Sequence, residues 1–94
     1  MPYVIIHHNV ADYDKFRSVF DFDAARRKRL GSRGGRLLRS TRGANDLFAL
    51  FEWDSVENAR KFVSAYETSE AFEWVGAVEE IRAFVLEDVE DVEF

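Results

Sequence analysis

The chain predicts an α+β domain in which a four-stranded antiparallel sheet carries its helices on one face, and three features support this. A strand, Leu47-Phe-Ala-Leu-Phe-Glu-Trp53, runs straight into a helix opened by Asp54-Ser-Val-Glu57. A turn-rich stretch, Arg42-Gly-Ala-Asn-Asp46, folds that strand back on an earlier one as a hairpin. A strand and a helix precede the hairpin, and a helical stretch and a strand follow it. The resulting order is β-α-β-β-α-β, the ferredoxin-like arrangement.

Each element has a local reason. Tyr3 to Asn9 is rich in β-branched and aromatic residues and reads as a strand. After the short loop Val10-Ala-Asp12, Asp12 suits the N-cap of a helix and Asp14 its first turn. That helix is expected to run to about Leu30, with Tyr13, Phe16, Val19, Phe20, Ala24 and Leu30 at three- and four-residue spacing. Arg26 to Arg29 match the negative end of its dipole, and Gly31 stops it. Gly34-Gly35 then releases the chain into a strand from Arg36 to Thr41, which pairs with Leu47 to Trp53. Asp54 and Glu57 have the spacing of a capping box, with Asp54 as the cap. Val56, Ala59, Phe62, Val63 and Tyr66 line one face of the next helix. A break near Thr68-Ser69 leads to a shorter helix with Ala71, Phe72 and Val75, ended by Gly76. Ile81 to Glu87 is the last strand, and residues 88–94 form an acidic tail.

The whole chain, residues 1–94, is expected to be one domain. It lacks cysteine, so disulfides and thiolate metal sites are excluded as sources of stability. Nine phenylalanines are a large apolar load for so small a core. The strands are apolar on both faces, Tyr3 and Ile5 alternating with Val4 and Ile6, and Phe48 and Leu50 with Ala49 and Phe51. A sheet with helices on one side should alternate apolar with polar, so a second copy of the chain is the expected cover for the other face, giving a homodimer.

The net charge of −5 argues against nucleic acid as the main partner. No apolar run reaches the ~18 residues of a membrane span, and no signal-peptide pattern opens the chain, so a cytoplasmic protein without membrane association is expected. The charges are segregated. Residues 24–44 hold eight cations and no acid, whereas residues 64–94 hold ten acids and one cation, Arg82.

His7 and His8 are the only histidines, and as strand neighbours they point to opposite faces. Either can serve as a proton acid or base, with an unperturbed pKa near 6.5. Their diverging rings cannot chelate one metal within a subunit, and no metal or cofactor is expected. Phe16, Phe20, Trp53, Tyr66, Phe72 and Trp74 are candidates to line an aromatic cleft for a flat apolar ligand. Trp74 lies off the Ala71, Phe72, Val75 stripe and suits a lid. Arg36 and Arg39 fall on opposite faces of their strand, so one of them can enter a cavity and hold an anionic ligand. Gly31-Ser-Arg-Gly-Gly35 follows a helix instead of leading into one, so it presents no helix N-terminus to a phosphate. Arg26 to Arg29 spread around their helix at ~100° per residue and form no single stripe.

Asp12-Tyr-Asp14, Phe20-Asp21, Asn45-Asp46, Phe51-Glu-Trp-Asp-Ser55, Asn58-Ala-Arg-Lys-Phe62 and Ala71-Phe72 ahead of Gly76 together span nearly the whole chain. In order and spacing they resemble the dimeric α+β barrel superfamily, which includes antibiotic-biosynthesis monooxygenases and cyclase-like proteins. The resemblance implies a homodimer with sheets face to face and a pocket in each subunit between sheet and helices. It also implies a cofactor-independent monooxygenase- or cyclase-like enzyme for a small aromatic or polyketide-like substrate, or a non-catalytic ligand-binding or accessory homodimer. His7 or His8 would handle protons, and Trp53, Phe72 and Trp74 would shape the site. The chain departs from the family at Phe22-Asp23, where relatives often carry a histidine. The haem-degrading branch needs an asparagine on strand one, a role open to Asn9, and a later histidine, which this chain lacks after His8.

Overall fold

The computed structural model describes residues 1–68 and 82–93. Within them the elements are β1 (Tyr3–Asn9), α1 (Tyr13–Phe22), α2 (Ala24–Leu30), β2 (Ser32–Arg39), β3 (Asp46–Trp53), α3 (Val56–Thr68) and β4 (Arg82–Leu86). The strands form one sheet in the order β2-β3-β1-β4, with all neighbours antiparallel. This is the expected ferredoxin-like sheet with its helices on one face. The shorter helix expected around Phe72 and Trp74 lies outside the described residues.

Strand parity sorts the side chains. On β1, Val4, Ile6 and His8 are buried beneath the helices, while Tyr3, Ile5 and His7 face the other way and are half-buried. The helix-side core joins Val4, Ile6, Ala49, Phe51 and Trp53 of the sheet to Ala59 and Phe62 of α3, with Phe20 of α1 packed against them. A second cluster, Val10, Phe16 and Leu47, closes the end near α1. Trp53 is wholly buried, its ring 4.9 Å from that of Phe62. The opposite sheet face carries the cross-strand row Arg36-Leu50-Ile5-Phe84 and, beside it, Leu38-Phe48-His7-Arg82. Leu38, Phe84 and Leu86 on this face are exposed.

Four local expectations are corrected. The single helix from Asp12 to Leu30 is two helices. Asp12 does cap α1, its carboxylate accepting from the Lys15 N–H at 3.2 Å. At Asp23, however, ψ moves to −2°, away from the helical value, and the ladder breaks. Aspartate is a weak interior helix former, and here its carboxylate binds Arg26 Nε at 2.7 Å. Leu30, one of the apolar positions read at helical spacing, is 38% exposed at the end of α2.

The second strand begins at Ser32 instead of Arg36 and ends at Arg39 instead of Thr41. A bulge between Ser32 and Gly34 absorbs an extra residue and lets the glycine pair join the ladder. Gly34 takes φ 106°, and a Cβ at Gly35 would run into the carbonyl oxygen of Leu50. Ser40 begins the turn instead, its N–H donating to Asp46 O at 2.9 Å.

The cap of α3 is Ser55 rather than Asp54. Its hydroxyl accepts from the Asn58 N–H at 3.1 Å. Asp54 instead accepts from the Asn58 side-chain amide at 3.0 Å and packs against Gly31, whose carbonyl takes the Asp54 N–H at 3.0 Å. The last strand, described over Arg82–Leu86, ends at Leu86 instead of Glu87.

Among the described residues, no helix is long and apolar enough to cross a membrane, and no group of three or more His, Cys, Asp or Glu could hold a metal ion.

Candidate functional site

The break at Asp23 and the bulge at Ser32 and Gly34 together open a cleft. α1 and α2 form one wall with Arg17, Phe20, Ala24, Arg27 and Lys28. β2 forms the other with residues 32–37, and Phe51 of β3 lies at the base. The volume is about 530 Å³, and the cleft is open to solvent on one side. That volume suits a ligand of drug-like size.

The base is aromatic. Phe20 and Phe51 stack with ring centroids 5.7 Å apart and planes 15° from parallel. Arg27 is buried, with its guanidinium carbon 4.0 Å from the Phe20 ring centroid and 5.1 Å from that of Phe51. It donates to Phe20 O at 2.9 Å and lies 3.8 Å from Asp23 Oδ2. The negative faces of the rings and the carbonyl together stabilise a charge that burial alone would disfavour. Arg17 at the rim is paired with Asp21 at 2.8 Å, and its pKa is raised chiefly by hydrogen bonding to that carboxylate. Among the described residues, Lys28, Arg33 and Arg36 have no ion-pair partner.

Of the residues singled out in the sequence, Phe20 and Arg36 come to this cleft. Arg36 projects on the opposite sheet face at the β2 edge, and it also lines a shallower cleft of about 230 Å³ with Tyr3, Leu50 and Glu52. Phe16 and Trp53 lie in the core, and Phe72 and Trp74 fall outside the described residues.

The two histidines part as strand geometry requires, and neither is among the cleft-lining residues. His8 is buried on the helix side, its ring 4.9 Å from Phe16. Burial pushes its pKa down to about 4, and the neighbouring His7 charge adds to the shift, so the ring is neutral at pH 7. His7 lies on the opposite face, stacked on Phe48 at 4.6 Å, with Nε2 hydrogen-bonded to Asp46 Oδ1. A histidine and a carboxylate so paired can hold or pass a proton.

Arg27, Lys28 and Arg33 were not singled out from the sequence as site residues. A usable signal was the spacing of Arg17, Phe20, Ala24, Arg27 and Lys28, which recurs every three or four residues and marks one helical face.

No family model matches this chain, and neither does any curated protein. Solved structures match along nearly all of it. A candidate antibiotic biosynthesis monooxygenase from Bordetella bronchiseptica aligns with a TM-score of 0.74 at 18% identity, covering 95% of this chain and 97% of its own. SnoaB, a cofactor-independent oxygenase from Streptomyces nogalater, aligns at 0.68 and 18% identity over 97% of this chain and 94% of its own. A mutant of MhuD, with two manganese protoporphyrin IX molecules bound per active site, aligns at 0.67 and 20% identity over 100% of both chains. Identities at this level establish architecture alone, and the chain shares the ferredoxin-like α+β fold of these proteins.

Proposed function

We propose that the protein binds a small aromatic or polyketide-like molecule in the cleft between α1, α2 and β2 and transforms it without a cofactor, by oxygenation or cyclisation. The carrying observation is the paired Phe20 and Phe51 rings at the base of an open cleft of about 530 Å³. They offer a flat apolar ligand an aromatic surface, and the cations at the rim fix its orientation. The shared architecture with SnoaB, described as a cofactor-independent oxygenase, supports the reaction class.

The homodimer belongs to the same proposal. Ile5, Leu38, Leu50, Phe84 and Leu86 form an apolar sheet face outside the helix-side core, suited to the same face of a second copy.

One observation favours the alternative of a binding or accessory protein without chemistry. No His, Asp or Glu is among the described residues that line the cleft, so no general base of the usual kind stands beside a ligand there. Oxygen uptake separates the readings. The purified protein is mixed with an anthrone in air-saturated buffer containing a chelator, and oxygen consumption and product mass are followed. Protein-dependent uptake above the spontaneous rate supports the enzyme. Binding of the anthrone with uptake at the spontaneous rate supports the accessory protein.

A further inference from the structure

We infer that the ligand of this cleft carries an anionic group, and that the site selects an aromatic carboxylate over its neutral counterpart. This rests on the reading of the cleft as the ligand site. The chain as a whole is acidic, at net −5, yet five cations line this one cleft. Arg17 is compensated by Asp21, and Arg27 by the Phe20 carbonyl, two aromatic faces and Asp23. Among the described residues Lys28, Arg33 and Arg36 have no such partner, and residues 24–44 hold no acid to provide one. Like charges gathered around a concave apolar surface repel one another and focus a positive potential into it. An anion entering the cleft relieves that repulsion.

The geometry points to an aromatic anion in particular. Phe20 and Phe51 provide a flat apolar base, and Arg27 sits buried upon it. Lys28 extends from α2 and Arg33 from the β2 bulge, on the two walls that face each other across the opening. A ring lying over the Arg27–Phe20–Phe51 stack places a carboxylate at the rim between these walls, where charge-assisted hydrogen bonds form. The anion is held by side chains, in keeping with a glycine-containing segment that follows a helix instead of opening one.

The test compares 2-naphthoate with 2-naphthamide, matched in shape and differing in charge. Both are titrated into the full-length protein, with the backbone amide shifts of Gly34 and Gly35 locating the site. The wild type should bind naphthoate at least about tenfold more tightly, as one charge-assisted contact implies. Higher salt should narrow the gap. In a Lys28→Gln, Arg33→Gln double variant the preference should fall to near unity. Equal affinities in the wild type would overturn the charge selection, and a preference that survives in the double variant would overturn its assignment to Lys28 and Arg33; either result leaves the cleft as a ligand site. If neither compound moves the glycine amides, both the cleft reading and this inference fall.

Discussion

The guanidinium of Arg27 lies 4.0 Å from the ring centroid of Phe20 and donates a 2.9 Å hydrogen bond to that residue's carbonyl oxygen. Seven residues apart, the two are joined across the break between α1 and α2, so one side chain fixes the bend and the base of the cleft together. Arg27→Ala removes the charge, the ring contact and the hydrogen bond. Destabilisation should be roughly 2 kcal/mol, and Arg27→Lys should recover only part of it because an ammonium lacks the planar fork. Urea unfolding midpoints of the three proteins check this.

His8 makes stability depend on pH. Its folded pKa of about 4 lies below the unfolded value near 6.5 because burial disfavours the imidazolium. The unfolded chain therefore binds more protons in that window. Stability falls as pH drops from about 6.5 towards 4, by an amount on the order of 3 kcal/mol, and this contribution levels off below pH 4. His8→Leu should flatten the curve in that interval. Parallel slopes for wild type and variant in urea melts between pH 4 and 7 would count against the assignment.

The two glycines of β2 should respond differently to alanine. At Gly35 a methyl group meets the Leu50 carbonyl, so the β2–β3 ladder must shift, at a cost of roughly 2 kcal/mol or more. At Gly34 there is open space, and the penalty comes only from φ 106°, on the order of 1–2 kcal/mol. Amide exchange across β2 and β3 distinguishes a displaced ladder from a strained one.

At the start of α3, Ser55→Ala removes the hydroxyl that accepts from the Asn58 N–H and should destabilise by about 1 kcal/mol. Asp54→Ala should cost less through α3, since Asp54 reaches only the Asn58 side chain. Thermal melts of the two variants rank them.

Self-association through the apolar sheet face should be sensitive to a buried charge. Phe84→Asp places a carboxylate in the row with Ile5 and Leu50, and sedimentation equilibrium should move from dimer to monomer. Val89→Asp, in the exposed tail, should leave the mass distribution as it is.

Much of the fold was legible because β1 and β3 are dense in β-branched, aliphatic and aromatic residues and because Trp53 ends a strand next to polar capping residues. Two boundaries were not. Glycine has low strand propensity, so Gly34-Gly35 reads as a release from structure, yet a bulge incorporates the pair. Asp23 sits within an otherwise continuous helical pattern, and only its backbone shows the break. The cleft was half legible. Phe20 and Arg36 were visible as candidates, whereas Arg27 was absorbed into a run of four cations whose spread around the helix hides the one that turns inward. The histidines drew attention by their chemistry, but strand parity placed them where packing and pairing required.

The bulged start of β2 also limits how the sheet can grow. β2 is an edge strand, and an edge invites another chain to zip onto its free N–H and C=O groups. Here the kink at Ser32 and Gly34 spoils the template, and Arg33, Arg36 and Arg39 set like charges along it, so a second β2 laid alongside meets both misregister and repulsion. Sideways polymerisation is closed at this edge, which leaves the proposed homodimer to the flat apolar face instead of a β2-to-β2 contact.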